Sequence, residues 1–258
     1  MKVVILAGGF GTRISEESHL RPKPMIEIGR KPILWHIMKT YSHYGFNEFI
    51  ICAGYKQEVI KDYFANYALY NSDVTFDFTE GGKVTVHSDA SEPWKVTVVD
   101  TGYSTMTGGR IKRIQPYVEG ETFMLTYGDG VADINIADLA AFHASHNKIA
   151  TMTAINIGQR FGVLDIADDG AVRSFREKDA DDGALINGGY MVLDPGVFDL
   201  LDGDSCVFEE EPLSTLAATG QMMAYRHNGF WQCMDTQRDK KLLEGLIDAG
   251  KAPWMVWE

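Results

Sequence analysis

The chain has 258 residues, 45% of them hydrophobic and 23% charged, values near globular averages that exclude collagen, coiled coil and wholesale disorder. Lys and Arg number 24 against 36 Asp and Glu, a net charge of −12. An acidic chain repels a phosphate backbone, so a nucleic-acid surface is disfavoured and no nucleic-acid partner is expected, and a small anionic substrate needs a pocket that is locally positive.

At roughly 150 residues per domain this length allows one large domain. No linker, repeat or low-complexity tract divides residues 1–258. Val3-Val4-Ile5-Leu6-Ala7 is a continuous apolar run cut by Gly8-Gly9, the pattern of a parallel-sheet strand buried on both faces. It is too short for a secretory core, and no apolar run approaches the ~20 residues that span a bilayer. Cys52, Cys206 and Cys233 are scattered, with no metal or redox spacing, which fits free thiols in a reducing cytoplasm. The expectation is a soluble cytoplasmic protein without a membrane partner.

Residues 8–29 form a long Gly-, Pro- and charge-rich connection, a length usually tied to function. Ile33, Leu34, Ile37, Met38 and Tyr41 follow at helical spacing after Pro32, with Gly45 as the stop. Glu48–Ala53 reads as a second buried strand and residues 57–68 as a second helix, so the chain opens β-α-β-α and calls for a parallel sheet. Strands are expected at 74–78, 83–87 and 96–100. Residues 101–109 are small and polar, and residues 110–117 look helical. Phe123–Tyr127 is a further strand, ended by Gly128-Asp129-Gly130, and 136–146 a helix. Strands at 150–157, 162–166 and 185–193 follow, then short helices at 195–201 and 212–219, a last helix at 237–249 and an apolar tail from Trp254. The tail, with Trp254 and Trp257, reads as exposed and suited to a subunit interface.

Glycines directly after a buried strand let backbone N–H groups approach an anion closely. Gly8-Gly9-Phe10-Gly11-Thr12, joined by the charges of Arg13 and Lys23, is therefore a candidate cradle for a triphosphate. It is neither a P-loop, since no lysine follows Gly11 directly, nor a dinucleotide fingerprint, since Ile14 stands where a third glycine belongs. Asp129, between glycines at a strand end, suits a Mg²⁺ ligand; taken by itself it also suits a plain turn. Asp235 precedes a helix and reads as an N-cap, as a second metal ligand, or as both. Glu177 and Lys178, followed by Asn187-Gly188-Gly189, offer a cation to a monophosphate and polar groups to sugar hydroxyls. Asp179, Asp181 and Asp182 read as a solvated loop, and the seven histidines form no ligand set.

These residues carry a resemblance. Leu6-Ala7-Gly8-Gly9-Phe10-Gly11-Thr12-Arg13 with Lys23-Pro24-Met25 is similar to the signature of the sugar-1-phosphate nucleotidylyltransferases. The similarity continues through Pro32 to Met38, Tyr63 to Tyr67, Asp100-Thr101-Gly102, Met106 to Arg110, Thr126 to Asp133, Ile186 to Gly189, Met234-Asp235-Thr236 and Gly250 to Trp254. Met106-Thr107-Gly108-Gly109-Arg110 points to the cytidylyl branch. The resemblance implies a Rossmann-like α/β nucleotidyltransferase (GT-A-like) fold: a mostly parallel mixed sheet flanked by helices, with a β-rich sugar-binding excursion. It implies that residues 1–135 mainly hold nucleotide, and residues 136–258 mainly sugar phosphate and the last helix. The implied reaction is CTP plus α-D-glucose 1-phosphate to CDP-glucose and pyrophosphate, with Mg²⁺, in dideoxyhexose synthesis for surface polysaccharide, by a homo-oligomer such as a hexamer.

Carried over by position, Leu6, Ala7, Gly8, Gly9, Phe10, Gly11 and Thr12 hold the nucleotide, Arg13 the leaving pyrophosphate and Lys23 the α-phosphate. Thr105, Arg110 and Gly128 contact the nucleotide, Asp129 and Asp235 bind Mg²⁺, and Glu177, Lys178, Asn187 and Gly188 fall in the sugar-phosphate region. Arg110 is expected at the pyrimidine 2-carbonyl, and the carbonyls of residues 6–8 are candidate acceptors for the cytosine amino group. The family usually has proline after the Glu-Lys pair; here Asp179 follows. Transfer from UTP or dTTP, and a non-catalytic nucleotide-sugar-binding homologue, remain the alternative readings.

Overall fold

Val3–Ala7 forms a strand with all its residues buried, and a seven-stranded sheet is built outward from it in the computed structural model, which describes residues 1–88, 91–156, 163–166, 172–176 and 185–257. From one edge the order is Met222–His227, Ala150–Asn156, Leu185–Leu193, Phe123–Tyr127, Val3–Ala7, Glu48–Ala53, Lys95–Asp100. Leu185–Leu193 runs antiparallel to both neighbours, and every other pairing is parallel. The mostly parallel mixed sheet expected from the sequence is thus present.

Alternation along the central strand explains why its apolar run is unbroken. Val3, Ile5 and Ala7 enter the core on one face, while Val4 and Leu6 enter the core on the other. Helix Ile33–His43 covers the first face with Ile33, Leu34, Ile37, Met38 and Tyr41. It ends at Gly45 (φ +87°): Gly45 N–H donates to Ser42 O (2.9 Å) and Phe46 N–H to Tyr41 O (3.1 Å), the paired bonds that close a helix through a left-handed residue.

Phe123–Tyr127 returns to the opposite side of Val3–Ala7 from Glu48–Ala53. This reversal opens a crevice at the C-terminal ends of the two central strands, where open α/β sheets take ligands. Beyond the main sheet, Val163–Ile166 pairs antiparallel with Val172–Arg176, in the region expected to be β-rich. Val74–Asp77 and Lys83–Val86 form a second antiparallel hairpin.

Several expectations shift. The helix at 57–68 divides at Asn66 (φ −105°, ψ 8°) into Gln57–Ala65 and Tyr67–Tyr70. The helix expected from residue 110 begins at Thr107 and runs to Arg113. Its two first-turn glycines suggest a loop, but packing requires them: a Cβ at Gly108 would lie 2.5 Å from Cys206 Sγ, and one at Gly109 would lie 2.7 Å from Gly203 O. Edge strand Met222–His227 was not expected, because its residues are half-buried or exposed without clean alternation.

The tail is not an exposed surface. Trp254 is fully buried, stacked on Phe230 with ring centroids 5.5 Å apart. Its indole N–H donates to His36 Nδ1 (3.3 Å), while His36 Nε2 pairs with Ile28 O (2.9 Å). The ring is therefore neutral, with its proton on Nε2. Among the described residues no helix is long and apolar enough to cross a membrane.

Burial holds His36 down at about 4, against an ordinary value of 6.5. Between those values the unfolded chain binds a proton that the folded ring refuses, so stability falls as pH falls through that window. The loss reaches ~3 kcal/mol once pH nears the folded value. Urea midpoints at pH 7 and pH 5 measure it. The difference between the two pH values is expected to shrink in His36→Gln, even though that variant is less stable at both.

Candidate active site

The crevice is a cavity of about 430 Å³. Leu6, Ala7, Gly8, Gly9, Phe10, Gly11, Thr12, Arg13, Lys23, Thr105, Arg110, Gly128, Asp129 and Asp235 all line it, so the residues singled out for nucleotide and metal meet in one place. Close packing assembles the floor. Gly128 N–H donates to Leu6 O (2.9 Å), and a Cβ on Gly128 would stand 2.8 Å from that oxygen and 2.9 Å from Pro24 Cγ. The absent side chain lets the Lys23–Met25 turn press against the strand ends and deliver Lys23. Gly11 (φ +63°) turns the loop so that its Cα side faces Lys23 Cβ, which would lie 3.2 Å from a Cβ there.

Asp235 arrives through a short antiparallel pairing. Gly130–Ala132 pairs with Trp231–Cys233, and Met234 N–H donates to Asp129 O (2.8 Å). The cap of the following helix is Thr236, whose side chain accepts from Asp239 N–H while the Asp239 carboxylate accepts from the Thr236 N–H. Asp235 is thereby free of the capping role and faces the cleft.

Lys23 Nζ donates to Asp129 Oδ2 (2.7 Å) and Asp235 Oδ1 (2.5 Å). Arg13 Nη1 lies 3.2 Å from Asp235 Oδ2. Burial acts to lower the Lys23 pKa, but the two carboxylates outweigh it and raise it. Burial acts to raise Asp235, and Lys23 with Arg13 outweighs it and holds the carboxyl low. Cys233, buried beside the same carboxylates, is pushed up to about 12 and stays a thiol. Among the described residues no group of three or more His, Cys, Asp or Glu side chains converges as a metal cage. The donor set available to a cation is the carboxylate pair, which already meets on one ammonium nitrogen.

Arg110 lies beneath the loop and is only 5% exposed. Its Nη1 donates to Thr101 Oγ1 (2.8 Å), Gly102 O (2.8 Å) and Ala53 O (3.3 Å), and its Nη2 to Gly8 O (3.0 Å). Gly8 O also accepts from Tyr55 N–H (3.3 Å). That carbonyl is filled twice, and Leu6 O accepts from Gly128 N–H.

Asn187 lies outside this cavity lining but beside it, with Nδ2 3.5 Å from Tyr127 Oη. Gly188 O accepts from Trp231 Nε1 (2.7 Å). Glu177 and Lys178 lie outside the described residues. Tyr103, Ser104 and Tyr127 also line the cavity. Only their place directly after or at the end of a strand marks them in the sequence. Glu209 has no local signal at all: it accepts from Tyr127 Oη (2.6 Å) and Thr107 Oγ1 (2.5 Å), tying the two walls together.

A glycine-loop cleft with a carboxylate pair and two cations thus lies at the switch point of a mostly parallel sheet, a place suited to phosphate groups. The Nucleotidyl transferase family model matches residues 2–236, and the chain belongs to that family. It is 60% identical, over the full length of both chains, to the glucose-1-phosphate cytidylyltransferases of Salmonella typhimurium and Salmonella typhi, and it groups with those enzymes within the family. Its fold is like that of HddC from Yersinia pseudotuberculosis (TM-score 0.70, 24% identity, 95% of this chain and 99% of that one). It is also like that of a UDP-glucose pyrophosphorylase complexed with UDP-glucose (TM-score 0.67, 16% identity, 96% and 98%).

The Arg110 clamp can be tested on the glycines above it. A Cβ at Gly8 would stand 2.1 Å from Arg110 Nη1, whereas one at Gly9 meets nothing within 4 Å. Gly8→Ala is expected to cost about 1–3 kcal/mol of stability through overpacking, and Gly9→Ala less than about 0.5 kcal/mol. Equal losses for the two in urea titrations would refute the clamp.

Proposed function

We propose that the chain transfers a cytidylyl group from CTP to α-D-glucose 1-phosphate, releasing pyrophosphate and forming CDP-glucose. The observation that carries this reading is Lys23 joined to Asp129 and Asp235 directly beside the Gly8–Gly11 loop, at distances of 2.7 and 2.5 Å. Both reactants are anions, and the chemistry is an in-line displacement at the α-phosphorus by a sugar phosphate oxygen. Catalysis then consists of holding the two in line and cancelling their repulsion.

The chain's own residues divide that work. Lys23 meets the α-phosphate, where charge builds during displacement, and Arg13, mostly exposed at the mouth of the cleft, meets the departing pyrophosphate. Thr12 and Thr105 offer hydroxyls to the nucleotide, and Gly128 contacts the nucleoside. Arg110 supplies positive charge from beneath the loop without leaving its carbonyl partners. The incoming phosphate is already ionised near pH 7, so no general base is needed. Residues 136–258, with Asn187, Gly188, Glu177 and Lys178, serve the sugar phosphate, and Asp235 crosses back to the nucleotide side.

Asp129 and Asp235 would hold Mg²⁺. Two carboxylates aimed at one cation, with phosphate oxygens and water to complete the shell, fit its preference for few protein ligands. When bound, the ion supplies charge neutralisation to the phosphates. The work belongs in the cytoplasm, where Cys52, Cys206 and Cys233 stay free as they are here.

Selection of CTP is supported by the Salmonella relatives and has a physical basis. Cytosine presents an amino donor where uracil presents an acceptor, and an unmatched buried polar group costs about 1–3 kcal/mol. The expected preference is at least ~100-fold in kcat/KM once repulsion between two facing acceptors is included. Pyrophosphate release with glucose 1-phosphate and each of CTP, UTP and dTTP measures it. Equal values for CTP and UTP would reject cytidylyl selection and leave nucleotidyl transfer standing.

Assembly with copies of the same chain is also proposed. Hairpin residues Phe76, Val84 and Val86, with Phe78 just beyond, are 46–83% exposed, an apolar patch unusual on a solvated monomer. Sedimentation velocity reads the mass directly, and a lone monomer at micromolar concentration would refute assembly.

A further inference from the structure

We infer that Lys23 is a placeholder cation that keeps the Asp129–Asp235 pair closed to a divalent ion until a nucleotide draws it away. The inference rests on the carboxylate pair being the metal site proposed above.

One ammonium nitrogen takes an oxygen from each carboxylate, at 2.7 and 2.5 Å. Arg13 takes the second oxygen of Asp235 at 3.2 Å. Two negative charges are thus answered by two positive ones from the chain itself. A divalent ion held by the same two carboxylate oxygens would stand where Lys23 Nζ stands. Ammonium and metal repel, so they cannot share that place. The Lys23 side chain is only 12% exposed, so it cannot simply swing into water without losing both partners and much of its packing. It needs another anion within reach of the same flexible stem.

A nucleotide phosphate seated on the Gly8–Gly11 loop is such an anion. Gly11 and Lys23 are neighbours, with a Cβ at Gly11 lying 3.2 Å from Lys23 Cβ. Arg13, 77% exposed, is paired with Asp235 alone among the described residues and is equally open to recruitment. Arrival of a polyanion transfers both cations from carboxylate to phosphate and leaves the carboxylates vacant for metal. Metal and nucleotide therefore bind with positive coupling. The coupling is reciprocal: each ligand raises the affinity of the other by the same factor. Lys23 thus has two successive partners, and its grip on the carboxylates opposes premature metal loading.

This makes a counterintuitive expectation: removing a cation from the site improves metal binding. Mn²⁺ binding to nucleotide-free protein, followed by the electron paramagnetic resonance signal of unbound Mn²⁺, is the direct readout. Lys23→Met should bind Mn²⁺ at least ~10-fold more tightly than the wild-type protein, within the usual range of coupling factors. Lys23→Arg, which keeps a cation, should stay near wild type. Thermal melting of each variant confirms that folded protein is being compared. Affinity in Lys23→Met no higher than in wild type, or equally raised in Lys23→Arg, overturns the placeholder role. Adding Asp129→Asn to Lys23→Met separates the underlying reading. If Mn²⁺ stays equally tight in that double variant, Asp129 is not a ligand and the proposed metal site itself fails.

Discussion

One buried guanidinium gathers the ends of three parallel strands. Arg110 reaches Gly8 O after the first strand, Ala53 O at the end of the second, and Thr101 Oγ1 with Gly102 O after the third. Gly8 O and Ala53 O also accept backbone N–H groups, from Tyr55 and Thr101. The planar fork, with several donors, adds bonds that tie the ends of all three strands to one side chain. Burial acts to lower the Arg110 pKa, but an arginine stays protonated in a protein. The described residues place no carboxylate within ion-pair distance of it. Its charge is left to act on the cleft above.

That charge resolves the electrostatic difficulty of an acidic protein that handles polyanions. The chain carries −12 overall, yet the cleft concentrates Arg13, Lys23 and Arg110 against Asp129 and Asp235. The field near a concave, weakly polar site is set by the nearest charges more than by distant ones, which salt screens. Lys23 and Arg13 are engaged by carboxylates through contacts a phosphate can replace, while Arg110 is fixed by neutral carbonyls. The site therefore has one permanent cation and two exchangeable ones, and this division lets it hold its shape while its ion pairs are rearranged.

The fold places these groups by close approach rather than by flexible loops. Gly8 packs on Arg110, Gly128 on Pro24 and Leu6 O, and Gly108 on Cys206. At each contact a methyl group would occupy space already taken. Trp254, buried against Phe230 and His36, locks the end of the chain onto helix Ile33–His43. This helix also packs against the Gly130–Ala132 strand, which pairs with the strand leading into Asp235.

Much of the fold was legible in the sequence because buried parallel strands must be apolar on both faces. Val3–Ala7, Glu48–Ala53 and Phe123–Tyr127 could hardly be read as anything else. The glycine loop and Asp129 were legible for a related reason: they follow those strands closely, where a parallel sheet opens its crevice, and Lys23 was legible as a cation in the long connection that follows the loop. Sequence spacing was misleading where packing overrode local preference. Gly108-Gly109 reads as a loop and forms the first turn of a helix, because the 203–206 segment lies too close for side chains. Met222–His227 carries too little burial to announce an edge strand, and Trp254 reads as exposed until its partners His36 and Phe230 are in place. Asp235 was ambiguous between cap and ligand; the Thr236–Asp239 capping pair takes the cap role from it, and the backbone bond from Met234 to Asp129 sets it beside that carboxylate. The sequence by itself determined which residue types stand at the strand ends. Only the tertiary structure decided that Lys23 spans two carboxylates from opposite halves of the chain and that Arg110 faces carbonyls. Those contacts join residues about a hundred to two hundred positions apart, and no local pattern encodes a distance between side chains that meet only when the sheet is closed.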